Sequence, residues 1–314
     1  MLVIISKVLV IFAIILVGVI AGKAGIVPKS ADKPLIDILM LITTPCLIIG
    51  SLANAEFTTE TEDDTIAVII LSVIYFTVFT LLSFPLSKLL RHTPKEDLSV
   101  LMGCMVGINT GFMGFPVTKA IFGDYMFYLM IIENIMLNFY LYGILVLQLN
   151  YGHKRAGEGR SLLKSIFSLC TIASIAGVVI MVCGIKLPAP VGEFFSIVGD
   201  ATVPLSMLIV GLQMAQTSVK KILKNRDLVI TSLINILLIP FLTFLMVNWL
   251  PVSSYVKAVS VFAACFPCAV GVVGVAAREN KNYSLASECV ALTTAASMIT
   301  LPLAAMFVSA FYGV

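Results

Sequence analysis

Charge is what this sequence has least of: Asp, Glu, Lys and Arg together make up 12% of its 314 residues, against 60% hydrophobic residues. A mean hydropathy of +1.07 lies far above that of a water-soluble domain and excludes an ordinary soluble globule. Histidine is nearly missing, represented by His92 and His153, both in polar loop segments. A nucleophile–histidine pair or a His-Glu metal motif therefore has nothing to build on inside the apolar segments, and enzyme chemistry is not expected. No Walker-type glycine loop is present and no polar segment is large enough for an ATPase domain, so nucleotide-driven work is not expected. A cleavable signal peptide is not expected either, because the apolar run from Leu2 to Ala21 is too long and lacks a basic stretch before it.

All seven cysteines lie in apolar segments, which argues against a disulfide framework. Cys265 and Cys268 form a CxxC with no His or acidic ligand beside it, so they read as small packing residues rather than a metal or redox site. No metal, no cofactor and no nucleic-acid partner are expected.

What is present is a succession of apolar stretches of about 20 residues, the length a helix needs to cross ~30 Å of hydrocarbon. The natural partner is a lipid bilayer, and the location a cell membrane, plasma or inner. Polar breaks divide the chain into ten candidate spans near 3–22, 34–54, 66–90, 98–122, 125–149, 162–185, 192–214, 227–249, 256–277 and 285–309. Basic residues alternate from loop to loop as that count requires. All but Lys7, Lys119, Lys186 and Lys257 of the 20 fall in the odd-numbered loops, while the loop after span 2 holds Glu56, Glu60, Glu62, Asp63 and Asp64. Both termini are then expected outside.

Two halves repeat at a constant offset. Thr43-Thr44-Pro45 and Thr202-Val203-Pro204 place prolines 159 residues apart, and Gly111 and Gly114 precede Gly271 and Gly274 by 160. Lys119 and Arg278, the first basic residues after spans 4 and 9, are again 159 apart. Five spans per copy, an odd number, inverts the second copy in the membrane. The expected organisation is a first repeat over 1–150, a short connection over 151–160 and an inverted repeat over 161–314.

The run Gly107-Ile108-Asn109-Thr110-Gly111-Phe112-Met113-Gly114-Phe115-Pro116 is a poor helix in the middle of span 4, since glycine costs about 1 kcal/mol and proline about 3 in a helix interior. Its counterpart in span 9 is Phe266-Pro267-Cys268-Ala269-Val270-Gly271-Val272-Val273-Gly274. A break in hydrocarbon must be satisfied by protein, water or ligand. The glycines alone would also serve close helix packing, the simpler reading for Gly103 and Gly107. Half-helix N-termini at such a break attract an anionic group, and loose carbonyls hold a cation.

These features resemble the auxin efflux carrier family in its short bacterial form, which includes malate permeases, and the similarity runs over essentially the whole chain. The Asn-Thr-Gly run in a proline-broken span 4, the proline-broken span 9, Thr-Thr-Pro in span 2 and ten spans with both termini outside carry it. The resemblance implies an all-α polytopic membrane protein with two inverted repeats of five helices and an architecture like that of bile acid sodium symporters. It implies a scaffold of spans 1, 2, 6 and 7, a moving transport part of spans 3–5 and 8–10, and a homodimer through the scaffold. The substrate site would lie where spans 4 and 9 cross, with Asn109, Thr110, Gly111, Phe112 and Pro116 from one, Pro267, Val270 and Gly271 from the other, and Thr43, Thr44 and Pro45 from span 2. The connection from Tyr151 to Arg160 is short and span 9 lacks a second Asn, which points to a small organic anion, malate-like or auxin-like, rather than to auxin itself. Flux by alternating access is expected, with a membrane-embedded sensor as the other reading.

Carboxyl groups inside apolar segments need a reason, because a central charge costs roughly 2.5–3.5 kcal/mol on insertion scales. Glu133, with Asn134 and Asn138 nearby, is the first candidate for coupling or gating, followed by Asp200 and Glu288. A neutral, hydrogen-bonded carboxyl is the other reading of Glu133. Whether protons or sodium ions couple is open. Lys119 and Arg278 are expected to snorkel to the interfaces.

Overall fold

The computed structural model describes residues 2–53, 58–150, 169–216 and 222–314. The connection expected over 151–160 lies outside these, as do Glu56, His153, Lys154, Arg155, Arg160, Lys164, Lys220 and Lys221. Every regular element among the described residues is helical, and the one extended pairing is a single antiparallel bridge between Ile108 and Cys268. In chain order the helices are α1 (Leu2–Lys23), α2 (Lys33–Ala53), α3 (Thr59–Ser87), α4 (Lys95–Val106), α5 (Phe115–Phe122), α6 (Asp124–Leu149), α7 (Leu169–Val182), α8 (Ala189–Ala215), α9 (Arg226–Asn248), α10 (Ser254–Ala264), α11 (Val270–Arg278) and α12 (Tyr283–Tyr312). Six of them, α2, α3, α6, α8, α9 and α12, are long and apolar enough to cross a bilayer. Leu9–Lys23, Leu169–Val182 and Ser254–Ala264 are shorter apolar helices.

Among the described residues four of the spans contain one π-helical turn each: Leu39–Thr43, Thr110–Gly114, Tyr140–Ile144 and Ile234–Leu238. In three of them a proline follows two residues after the turn, at Pro45, Pro116 and Pro240. The cause is local: proline has no N–H and its ring collides with the carbonyl four residues back, and a wider turn relieves the collision. Pro85 and Pro302 sit inside α3 and α12 without such a turn. Helix starts are capped where they meet polar loops, Asn225 accepting from the N–H groups of Asp227 and Leu228, and Ser253 from Val256.

The chain divides into two compact units, each drawing on both halves of the sequence. The first comprises Met1–Ile66, Gly111–Ile135 and Phe167–Thr217. Its helices approach through small residues. Gly18 in α1 abuts the Leu208 carbonyl and Gly211 of α8, and a Cβ on Gly199 would lie 2.7 Å from the Leu47 Cα. Gly177 in α7 takes Leu52 of α2 in the same way, 2.6 Å from where a Cβ would be. Lys7 donates to the Ile121 carbonyl at 3.2 Å, fastening α5 to α1. Close backbone approach of this kind is how helices associate in lipid, where there is little hydrophobic drive between them.

The second unit comprises Ala67–Thr110, Met136–Ile166 and Ser218–Val314. Here Gly103 of α4 and Gly271 of α11 receive Leu145 and Leu141 of α6, and Gly107 receives Val272. Phe76 stacks on Tyr140 with centroids 4.7 Å apart. At the polar end, buried Asp227 accepts from the His92 N–H and the Thr93 hydroxyl, both at 2.8 Å, and ties the loop before α4 to the start of α9.

Candidate functional site

Within the second unit the helical run stops at Val106, and Gly107 turns extended (φ −67°, ψ 126°). The second interruption runs from the end of α10 to Ala269, itself extended (φ −66°, ψ 132°) before α11 begins. The two non-helical strips lie antiparallel. The Asn109 N–H donates to the Pro267 carbonyl at 2.8 Å, and the Ala269 N–H donates to the Gly107 carbonyl at 3.2 Å. The proline that interrupts one strip thus offers its carbonyl to the other.

Side chains complete the accounting. Asn235, buried in the π-turn of α9, donates through Nδ2 to the Met105 carbonyl at 3.0 Å and the Gly107 carbonyl at 3.4 Å. These are the orphan acceptors at the C-terminus of α4. On the other strip, the Cys268 N–H donates to the Thr293 hydroxyl of α12 at 3.1 Å, and that hydroxyl donates in turn to the Cys289 carbonyl at 2.8 Å. Sequence reasoning missed Asn235 and Thr293. Their signal was a buried-type polar residue inside an apolar span, the same signal that singled out Asn109, but with no glycine or proline run beside it.

The expected binding residues fall in both units. In the second, Asn109 and Thr110 are buried beside the bridge and Pro267 is part of it, while Val270 is 42% exposed and Gly271 half-buried at the first turn of α11. In the first, Thr43, Thr44, Pro45, Phe112 and Pro116 are buried. Gly111 lies against Asn134, where an added Cβ would stand 3.1 Å from Nδ2. Glu133 and Asn134 are buried and belong to the first unit, whereas Asn138 is half-buried in the second. Glu288 is exposed on α12.

Asp200 is also exposed, and it lines a cavity of about 250 Å³ within the first unit together with Lys119, Asp124, Ser51, Ser196 and Leu47. Lys119 donates to the Ser51 hydroxyl at 3.1 Å, pairs with Asp124 and lies 5.7 Å from the Phe127 ring centre. It is held by these groups. At the same end Tyr125 donates to Asp64 at 2.8 Å, and Thr65 shares a hydrogen bond of 2.5 Å with Tyr128.

Long apolar helices, together with interrupted segments whose backbone groups are satisfied inside the protein, define a multi-pass membrane protein. Residues 3–305 match the family described as membrane transport protein, and the chain belongs to that family, the auxin efflux carriers. It is similar to an uncharacterized transporter of Methanothermobacter thermautotrophicus, with 25% identity over 308 residues covering 95% of this chain and 96% of the relative. An uncharacterized transporter of Methanocaldococcus jannaschii is 24% identical over 308 residues, covering 94% and 96%. Family and relatives are transporters rather than enzymes.

Proposed function

We propose that this membrane transport protein is a secondary carrier of a small organic anion, built of ten spans in two inverted repeats, with substrate held where the broken spans 4 and 9 cross. The observation that supports this reading best is the bridge itself. It leaves the helix start at Thr110 directly after Asn109 and puts the start of α11 at the other end of the paired strips, opposite Val106, and helix starts carry partial positive charge suited to a carboxylate. The polar side chains beside them supply further hydrogen-bond donors. Glu133 is the proposed coupling group, and Asp200 and Glu288 are secondary candidates. Alternating access would proceed by movement of spans 3–5 and 8–10 against spans 1, 2, 6 and 7.

Uptake of labelled malate and indole-3-acetate into proteoliposomes, with and without imposed proton and sodium gradients, tests the reading. Wild type is expected to move an organic anion, Asn109→Ala to lose at least about 90% of the flux, equivalent to roughly 1.4 kcal/mol or more of lost stabilisation, and Glu133→Gln to lose gradient dependence. Binding of these anions by wild type without any flux would transfer the reading to a sensor. Absence of both would overturn the substrate class.

A further inference from the structure

Cys104, Cys268 and Cys289 are far apart in sequence, yet their three sulfur atoms lie within 4.8 Å of one another in the second unit. Each residue is fully buried. The CxxC partner Cys265 is not among them. Each sulfur comes from a different segment: the last turns of α4, the interruption before α11, and the second turn of α12. Their backbones are held by hydrogen bonds, and the Cys268 thiol donates to the Ala269 carbonyl at 3.9 Å. Cys268 is anchored through its N–H by Thr293, and the Cys289 carbonyl accepts from the same hydroxyl. The end of α4 that carries Cys104 is anchored by Asn235.

We propose that these three cysteines form a binding site for a soft monovalent metal ion, Cu(I). With metal–sulfur bonds of about 2.3 Å, a trigonal three-sulfur site needs sulfur–sulfur separations of about 4.0 Å, within reach of this cluster by small side-chain rotations. Three thiols, with no imidazole or carboxylate in the cluster among the described residues, suit a soft ion that accepts three-fold coordination. Zinc prefers a fourth ligand, and hard cations prefer oxygen. The chemistry is ligand exchange without electron transfer: each thiol that becomes a thiolate ligand releases its proton to water as the copper–sulfur bond forms. A bound ion would clasp α4 and α12 to the interruption in span 9, whatever solute the protein carries.

The test uses detergent-purified full-length protein under reducing, oxygen-free conditions, titrated with Cu(I) buffered by bicinchoninate. After desalting, wild type is expected to retain one copper per chain, with sulfur-to-copper charge-transfer absorption, three sulfur neighbours by X-ray absorption and a raised Tm. Cys104→Ser and Cys289→Ser are each expected to lose the bound copper and the Tm rise, while Cys265→Ser keeps both. Each variant's Tm without metal, with Cys104→Ala and Cys289→Ala beside the serine forms, establishes that it is folded. No copper retained by folded wild type, retention unchanged in Cys104→Ser, or equal loss in Cys265→Ser would overturn the site; zinc retained in preference to copper would overturn the choice of ion.

Discussion

Asn235, fully buried, donates to two carbonyls with one amide, Met105 and Gly107. Asn235→Leu keeps roughly the volume and removes the donor. Leaving a buried acceptor without a partner costs about 1–3 kcal/mol, so the variant is expected to unfold at a lower temperature in detergent, with faster hydrogen exchange over residues 105–109. An unchanged Tm and exchange pattern would show that the amide is dispensable. Gly199 gives a second residue-scale prediction, because its Cβ would meet the Leu47 backbone, whereas Gly274 has open space around it. Gly199→Ala is expected to lose about 1–3 kcal/mol by overpacking, while Gly274→Ala changes stability little. The pair can be compared by thermal unfolding in one detergent.

At the scale of an element, the three proline-linked π-turns are one device used in α2, before α5 and in α9. Each was half legible: a proline inside an apolar run announces an irregularity, but whether the helix kinks, stops or widens is decided by what surrounds it. Ahead of Pro116 the helix is interrupted, because Gly107 is already extended and its carbonyl is taken by Ala269 of another segment, and helix resumes at Thr110 and runs through Pro116. Pro302, in an otherwise similar apolar run, leaves α12 continuous. Pro116→Ala removes the collision behind the turn at Thr110–Gly114, and the turn is expected to tighten to regular α-helix. Slower hydrogen exchange over 110–116 would report it, accompanied by reduced anion flux in proteoliposomes; exchange as fast as wild type would mean the glycines alone maintain the turn.

For the whole molecule, the two compact units do not coincide with the two halves of the chain. The first unit gathers most of α1, α2, α7 and α8, the expected scaffold spans, together with Gly111–Ile135. The long helices α3 and α6 each contribute to both units. Orientation is a prediction at this scale, because it depends on the summed bias of many loops. With Cys183, the exposed cysteine, replaced by serine, a new cysteine at Thr59 is expected to react with a membrane-impermeant maleimide added to intact cells, and one at Lys95 only after permeabilisation. The reverse pattern would place the termini inside.

By itself the sequence determined membrane residence, an all-helical fold and the location of the two interruptions, because these follow from local quantities: apolar length, scarcity of charge, and the placement of glycine and proline; the family rests on the match over residues 3–305. Only the tertiary structure decided that Ile108 faces Cys268, that Asn235 and Thr293 complete the broken backbone, and that Cys268 meets Cys104 and Cys289 instead of Cys265. Those pairings join residues 21 to 164 positions apart, and no periodicity carries them; they arise where interrupted helices must find partners for their backbone groups in a medium that offers none.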